Sequence, residues 1–414
     1  MSFTKSEFPR RLFAAPLCPI KSFELQIMNS YLSTTFGFFL SIFLIPACSS
    51  TDRELPDEVK KLDNLTIHEI NSTPISSITL TKAVTFENSS EVIFGQLNEI
   101  DVDNSGTVYV VEGSDGNEGI YVFDAEGAFI NKIGRTGRGP GEFQALFDID
   151  VFGDQIFTLD GTLLRIQVFS SETYNSIHEA NLDPGQWDFS SERTMTFPNK
   201  FHVLNDSTIL GIFNHYTFDM DTWSYYHLDM NGNVTSERLL THDYIKHLKT
   251  GDGSQSFFDP FGGRGLMALS TDNQIFTAWS KDLLFKVYDS DGTYLRAFYH
   301  PFDNSNLSRD EALNFYDNEP FKNALRNEGI PDKWRAFDHL IIDNNNNLWI
   351  STITDDREIY EWWIMDTYGN LQAKFKWPRG KEIHEIKNGF AYVLETEEDT
   401  GLQEVIKYRI QWSD

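Results

Sequence analysis

Three sets of residues in this chain have types and spacings that could do chemistry. The first is the Gly-rich turn Gly134-Arg135-Thr136-Gly137-Arg138-Gly139-Pro140-Gly141-Glu142-Phe143. Backbone N–H groups in such a loop, with two arginines beside them, could cradle a phosphate. No Gly-Lys-Ser/Thr and no helix start follow it, and Pro140 removes one donor, so the turn reads as a structural connector. The second is Asp343-Asn344-Asn345-Asn346-Asn347, a run of oxygen ligands of the kind calcium takes. The same residues are those a hairpin turn prefers, and Asp103-Asn104-Ser105-Gly106 occupies an equivalent place, so the turn reading outweighs the metal. The third is the set of ten histidines, scattered without His-x-x-x-His spacing or a cysteine partner, which argues against zinc. On this reading the chain carries no metal site, with calcium kept open as a cofactor.

Nucleophilic catalysis finds no support. There is no Gly-x-Ser-x-Gly elbow, the only cysteines are Cys18 and Cys48, and the 62 acidic residues are too many for a catalytic pair to stand out. The charge discriminates better. A formal −28 repels phosphate backbones and excludes nucleic acid as a partner, while it favours cationic or polar neutral ligands.

The elements that would position a site are short strands. A turn residue followed by an apolar core recurs at Val108-Tyr109-Val110, Ile156-Phe157-Thr158, Ile209-Leu210-Gly211, Ile275-Phe276-Thr277, Leu348-Trp349-Ile350 and Ala391-Tyr392-Val393. Intervals of roughly 43 to 73 residues fit four-stranded propeller blades with insertions in the middle of the chain. An Asp-x-x-Gly turn follows four of the copies, from Asp124, Asp229, Asp289 and Asp366, where it would join third and fourth strands. The last copy has room for a third strand at 405–410 but no fourth. Residues 78–81 or 83–86, upstream of the first copy, are expected to supply it and close the ring, which removes exposed sheet edges.

Residues 143–169, led in by Gly-Pro-Gly-Glu-Phe, with Asp150 and Asp160 framing one strand and Arg165-Ile166-Gln167-Val168-Phe169 as the next, resemble an NHL repeat. Over roughly residues 80 to 412 the chain resembles the six-bladed β-propeller lipoproteins of Bacteroidetes-type bacteria. The resemblance implies an all-β fold, a six-bladed β-propeller of four-stranded antiparallel blades closed by an N-terminal strand. It says little about activity, because propellers host many functions. Some six-bladed relatives are calcium-dependent lactonases or lyases.

Residues 1–47 read as a lipoprotein signal peptide. Lys5, Arg10, Arg11 and Lys21 precede an apolar stretch at 36–45 that is short for a membrane span, and Ile45-Pro46-Ala47-Cys48 resembles a bacterial lipobox. By that resemblance Cys48 is the lipidation site. Met28 is an alternative start, but no Lys or Arg lies between it and Cys48, so the longer leader is preferred. Cleavage at Cys48 and its acylation would leave no thiol for a disulfide, so the fold must rest on packed sheets. Residues 48–65, acidic at Asp52, Glu54, Asp57 and Glu58, read as a solvated flexible tether, and 66–414 as one propeller domain.

Short helical insertions are expected near 236–265, with a helix candidate at 243–249, and near 301–335, where Ser308 to Glu311 forms a capping box. Excursions of this kind sit at an end or rim of the ring, and loops on a rigid scaffold are where specificity resides. Arg138, His215, Arg264, Trp334 and Arg335 fall at loop-to-inner-strand junctions and are the ligand-binding candidates. The functional expectation is an exported, lipid-anchored propeller of the cell envelope, at the periplasmic or surface face of the outer membrane. It would act as a monomeric binding scaffold for a small molecule, glycan or envelope protein. The alternative is a calcium-dependent, lactonase-like hydrolase or lyase with its site at the central channel.

Overall fold

The structure is a computed structural model that describes residues 54–69, 73–86, 94–113, 116–187, 195–396 and 401–413. The leader and Cys48 lie outside the described residues. Every apolar core spotted in the sequence is the second strand of a four-stranded antiparallel blade. Blade 1 comprises Leu97–Val102, Val108–Glu112, Gly119–Phe123 and Phe129–Ile133; blade 2 comprises Leu146–Phe152, Gln155–Asp160, Arg165–Ser170 and Ser176–Asn181. Blade 3 has the longest strands, Met195–Asn205, Thr208–Tyr216, Met220–Leu228 and Leu240–Lys249, and adds Ser256–Phe258 at its edge. Blade 4 follows with Gly265–Leu269, Ile275–Trp279, Leu283–Tyr288 and Tyr294–His300, and blade 5 with Phe337–Ile342, Leu348–Ile353, Ile359–Met365 and Leu371–Pro378. Blade 6 takes Lys381–Lys387, Phe390–Thr396 and Gln403–Ser413 from the C-terminal end.

Its fourth strand comes from the other end of the propeller. Ser76–Phe86 pairs antiparallel with Gln403–Ser413 from Ser77↔Ser413 to Phe86↔Val405, as the unfilled last copy required. The same strand bonds parallel to blade 5 at Ser76↔Ala373, so blades 5 and 6 form one continuous sheet. The four Asp-x-x-Gly turns sit between third and fourth strands. In each, the glycine N–H donates to the aspartate carbonyl, as Gly127 does to Asp124 and Gly369 to Asp366 (3.1 and 3.0 Å).

Six apolar clusters are found among the described residues, one between each pair of neighbouring blades. Rings from facing strands supply most of them, such as Phe86 against Phe123 across the closure (5.4 Å) and Trp187 against Phe213 between blades 2 and 3 (4.8 Å). The high aromatic content is thereby used: flat, two-faced blades need bulky side chains on both surfaces.

Two expectations need correction. The helix candidate at 243–249 is part of the strand Leu240–Lys249, which pairs with Met220–Leu228 and then turns into Ser256–Phe258. An open ladder edge beside Tyr244 and Ile245 outweighs a weak helical preference. The expected tether is also shorter than 48–65: Asp57–Lys60 is a helical turn, and Leu65–Ile67 adds a parallel fifth strand to blade 4 at Leu65↔Ala297. Lys286 bonds Glu58 (2.5 Å) and the Tyr294 hydroxyl donates to the Asp63 carbonyl (2.6 Å). The second insertion is helical as expected, with Arg309–Leu313 capped by Ser308 and followed by Glu319–Glu328.

Candidate functional site: the central channel and its entry end

The first strand of each blade lines the axis of the ring. Together they enclose a cavity of about 410 Å³ whose wall includes Glu99, Asp101, Asp148, Asp150, Lys200, His202, Met267, Leu340, His384, Glu385 and Lys387. Charged residues at alternate positions of the inner strands of blades 1, 2 and 6 are what make it unusual.

Several of the carboxylates also tie the blades together. Val151 N–H donates to Asp101 Oδ2 (2.7 Å), Phe201 N–H to Asp148 Oδ2 (2.8 Å) and Val203 N–H to Asp150 Oδ2 (2.7 Å). Each bond satisfies an edge donor on the next blade's inner strand, a group that has no ladder partner of its own. Lys200 approaches Glu99 (3.8 Å) and Lys387 approaches Asp101 (3.9 Å), so two ammonium groups face the acids.

Burial raises the proton affinity of four of these acids. It pushes Asp148 up to about 7, with Lys200 opposing and Glu99 assisting, and pushes Asp150 up to about 8, assisted by the charge of Asp101. Asp101 and Glu385 are raised for the same reason. Lys200 is raised by Glu99, and burial pushes His202 down to about 4. A carboxyl whose folded pKa exceeds its unfolded value of about 3.9 stabilises the fold at low pH and loses that contribution as pH rises through the folded value. Stability is therefore expected to fall between about pH 4 and pH 8, with Asp148→Asn and Asp150→Asn together flattening the slope. Urea midpoints across that range check this, and an unchanged slope in the double variant contradicts it.

At the end where connectors enter the inner strands, a second charged group sits on the rim. Arg335 bonds Asp338 through Nε and Nη2, and the Pro260 carbonyl through Nη1. Asp338 Oδ2 also accepts from the Tyr360 hydroxyl (2.5 Å) and from Arg379 Nη2 (2.9 Å), while the Arg379 guanidinium lies 4.5 Å from the Tyr360 ring centroid. Burial opposes ionisation of Asp338, yet Arg335, His339, Tyr360 and Arg379 hold it down to about 2. Glu382 is likewise held down to about 2 by the hydrogen bond from His339. Arg264, just before the inner strand of blade 4, is half-buried; burial depresses the basicity of Arg335, and the nearby Arg264 charge adds to that.

Of the five residues picked from the sequence, the structure brings Arg264 and Arg335 together at this rim. Arg138 is exposed on the connector between blades 1 and 2. That connector is self-contained: Glu142 accepts from Arg138 N–H (3.0 Å) and Gly139 N–H (2.9 Å), and Arg165 donates to the Gly139 and Glu142 carbonyls. Gly134 there has φ +75°, and a Cβ would strike the Phe143 ring, so the motif's glycines serve the turn. His215 is buried in blade 3 against the Thr196 hydroxyl (2.7 Å). Trp334 packs into the core with Phe261 and Phe315, its Nε1 donating to Glu311 (3.2 Å), which removes it from any ligand surface. The calcium reading of 343–347 meets the same fate as the phosphate loop. Asp343 Oδ1 accepts from the Asn345 and Asn347 amides (2.9 and 2.8 Å) and Oδ2 from Trp349 Nε1 (3.0 Å), so both oxygens belong to the turn.

The channel acids were missed. Their signal is a pair of charges at alternate positions of the strand preceding three of the six repeat markers, Glu99-Ile100-Asp101, Asp148-Ile149-Asp150 and Glu385-Ile386-Lys387. A strand buried on both faces should be apolar throughout.

Six four-stranded blades around a charged axial cavity define the protein as a β-propeller. The chain belongs to the family DUF5128, described as a 6-bladed beta-propeller, whose family pattern matches residues 57–298. Among solved structures, a member of the DUF4221 family from Bacteroides vulgatus aligns with 83% of this chain and 99% of its own, at 12% identity and a TM-score of 0.52. A protein described as exported, from Bacteroides fragilis, aligns with 84% of this chain and 99% of its own, at 14% identity and a TM-score of 0.49. Regucalcin of Agrobacterium tumefaciens, a calcium-binding protein, covers 84% of this chain and 97% of its own, at 13% identity and a TM-score of 0.41. At these identities the likeness is one of fold. No curated protein matches the chain.

Proposed function

We propose that this protein is an exported, lipid-anchored propeller of the cell envelope that binds a small polar ligand carrying a cationic group in its central channel. The observation that carries the reading is that Asp101, Asp148, Asp150 and Glu385 line one open cavity, each with its proton affinity raised by burial. A carboxyl kept neutral by burial becomes a strong partner once a bound ammonium replaces its proton, because the pair forms where water is scarce. The anchor rests on the lipobox-like sequence ending at Cys48. Among the described residues no helix is long and apolar enough to cross a membrane. The acidic composition supports a monomer that takes no nucleic acid.

The hydrolase or lyase alternative needs carboxylates converging on one cation. Here Asp101, Asp148 and Asp150 each give an oxygen to a backbone amide of the next blade. Among the described residues no three His, Cys, Asp or Glu side chains are grouped to hold a metal ion. The geometry thus favours binding over metal-assisted chemistry. Titrating the protein with putrescine or spermidine is expected to raise its melting temperature, by roughly 2 °C or more at saturating ligand. The Asp148→Asn, Asp150→Asn double variant should lose that response. A diamine response of equal size in the variant would place the binding elsewhere.

A further inference from the structure

We propose that the channel's ligand is dipolar, with an oxyanion held by Arg264 at the entry end and an ammonium among the carboxylates below it. The inference rests on the channel reading for its cationic end and on separate observations for its anionic end. Arg264 Nε is buried and has no hydrogen-bond partner among the described residues. Most acids of the rim are already committed. Asp338 is shared by Arg335 and Arg379, Glu382 faces His339 and His384, and Asp259 accepts from the Phe261 and Gly262 amides; Asp221 Oδ1 lies 3.1 Å from His247, while its buried Oδ2 has no hydrogen-bond partner among the described residues. In a chain with 62 acidic and 34 basic residues, a half-buried guanidinium without a carboxylate is a costly exception unless its partner comes from outside.

The neighbourhood repeats the pattern. Tyr244 stacks on Trp223 (4.4 Å, 17°), and among the described residues the buried Trp223 Nε1 has no partner, nor has Oδ1 of Asn214 on the facing strand. Tyr244 precedes Ile245, which bridges Arg264 across the start of the inner strand of blade 4. Arg264 stands three residues before Met267, the first residue of its strand to line the cavity. At strand rise that puts the Arg264 backbone roughly 10 Å along the strand from that of Met267. A planar carboxylate suits a guanidinium fork better than a point anion does. The expected ligand is therefore a zwitterion with well-separated charges, such as an ω-amino acid, a short peptide or an amino-sugar acid.

The test compares ω-aminohexanoate and ω-aminooctanoate with hexylamine and hexanoate, by thermal unfolding and calorimetric titration of the full chain. Wild type should bind the amino acids at least several-fold more tightly than hexylamine, and phosphate added as a competitor should weaken them less than hexanoate does. In Arg264→Gln the amino acids should fall to the hexylamine level while hexylamine binding is kept. Arg264→Lys, which keeps the charge without the fork, should recover part of the difference, and near-ultraviolet circular dichroism checks that both variants fold. Equal binding of amino acid and amine by wild type, or a full amino-acid preference in Arg264→Gln, overturns the proposal. Arg264-dependent hexanoate binding without any amine binding would instead remove the cationic channel reading and leave the anion site standing.

Discussion

A chain that starts after Phe86 is expected to lose cooperative folding. The strand Ser76–Phe86 is the only partner for the outer edge of Gln403–Ser413 among the described residues, and its loss leaves that long edge open along its whole length. It also empties the space of Phe86, which is fully buried against Phe123 and Tyr392 (5.4 and 6.4 Å). Replacing that one ring, Phe86→Ala, should cost about 3–5 kcal/mol. Folded domains hold only about 5–15 kcal/mol, so removing the ring together with a ladder of backbone bonds exceeds what the rest of the closure can absorb. Urea unfolding and size-exclusion chromatography check this. A truncated chain that stays monomeric with an unchanged midpoint would show that the ring closes without its N-terminal strand. The point substitution supplies the milder version, expected to lower the midpoint while preserving the transition.

The second large effect is expected at the entry-end rim. Asp338→Ala should destabilise the protein by about 3–5 kcal/mol, because it strands Arg335 in a buried position with only a carbonyl partner. Asp338→Asn keeps an acceptor for Tyr360 and should cost less. The pH dependence has a definite sign. Asp338 is held down to about 2, below its unfolded value of about 3.9, so its contribution is present above about pH 4 and is lost as pH falls toward 2. Wild type and Asp338→Ala should therefore converge in stability in acid. Denaturant midpoints measured at neutral pH and near pH 2 test both statements, and a loss below about 1 kcal/mol at neutral pH contradicts the first. Acid convergence runs opposite to the channel carboxyls, which favour low pH, so the two groups can be separated by variant.

Much of the fold is legible in the sequence because blades are local. The pattern Val108-Tyr109-Val110 and the turn from Asp124 to Gly127 are set by neighbours within one meander, and repetition makes them visible. Closure was legible for a different reason: the last blade lacked a strand and the segment before the first had one to spare. The strand at Leu240–Lys249 was not, since its identity depends on the edge that Met220–Leu228 offers it. The channel was the least legible part. Asp101, Asp148 and Glu385 lie far apart in sequence and meet only because inner strands converge on an axis, and each alone resembles any other strand-flanking acid. Arg264 and Arg335 could be chosen because they stand one and two residues before inner strands, whereas Trp334, next to Arg335, turns into the core.

The central claim is that buried, proton-holding carboxyls in the channel exchange their protons for a cationic ligand. The most direct measurement is calorimetric titration of spermidine near pH 6 in buffers of different ionisation enthalpy, which counts protons released per ligand bound. Asp148 and Asp150, raised to about 7 and about 8, are largely protonated at that pH, so binding should release on the order of one proton and the release should vanish in the Asp148→Asn, Asp150→Asn variant. Binding with no proton release, or release that survives in the variant, would contradict the account.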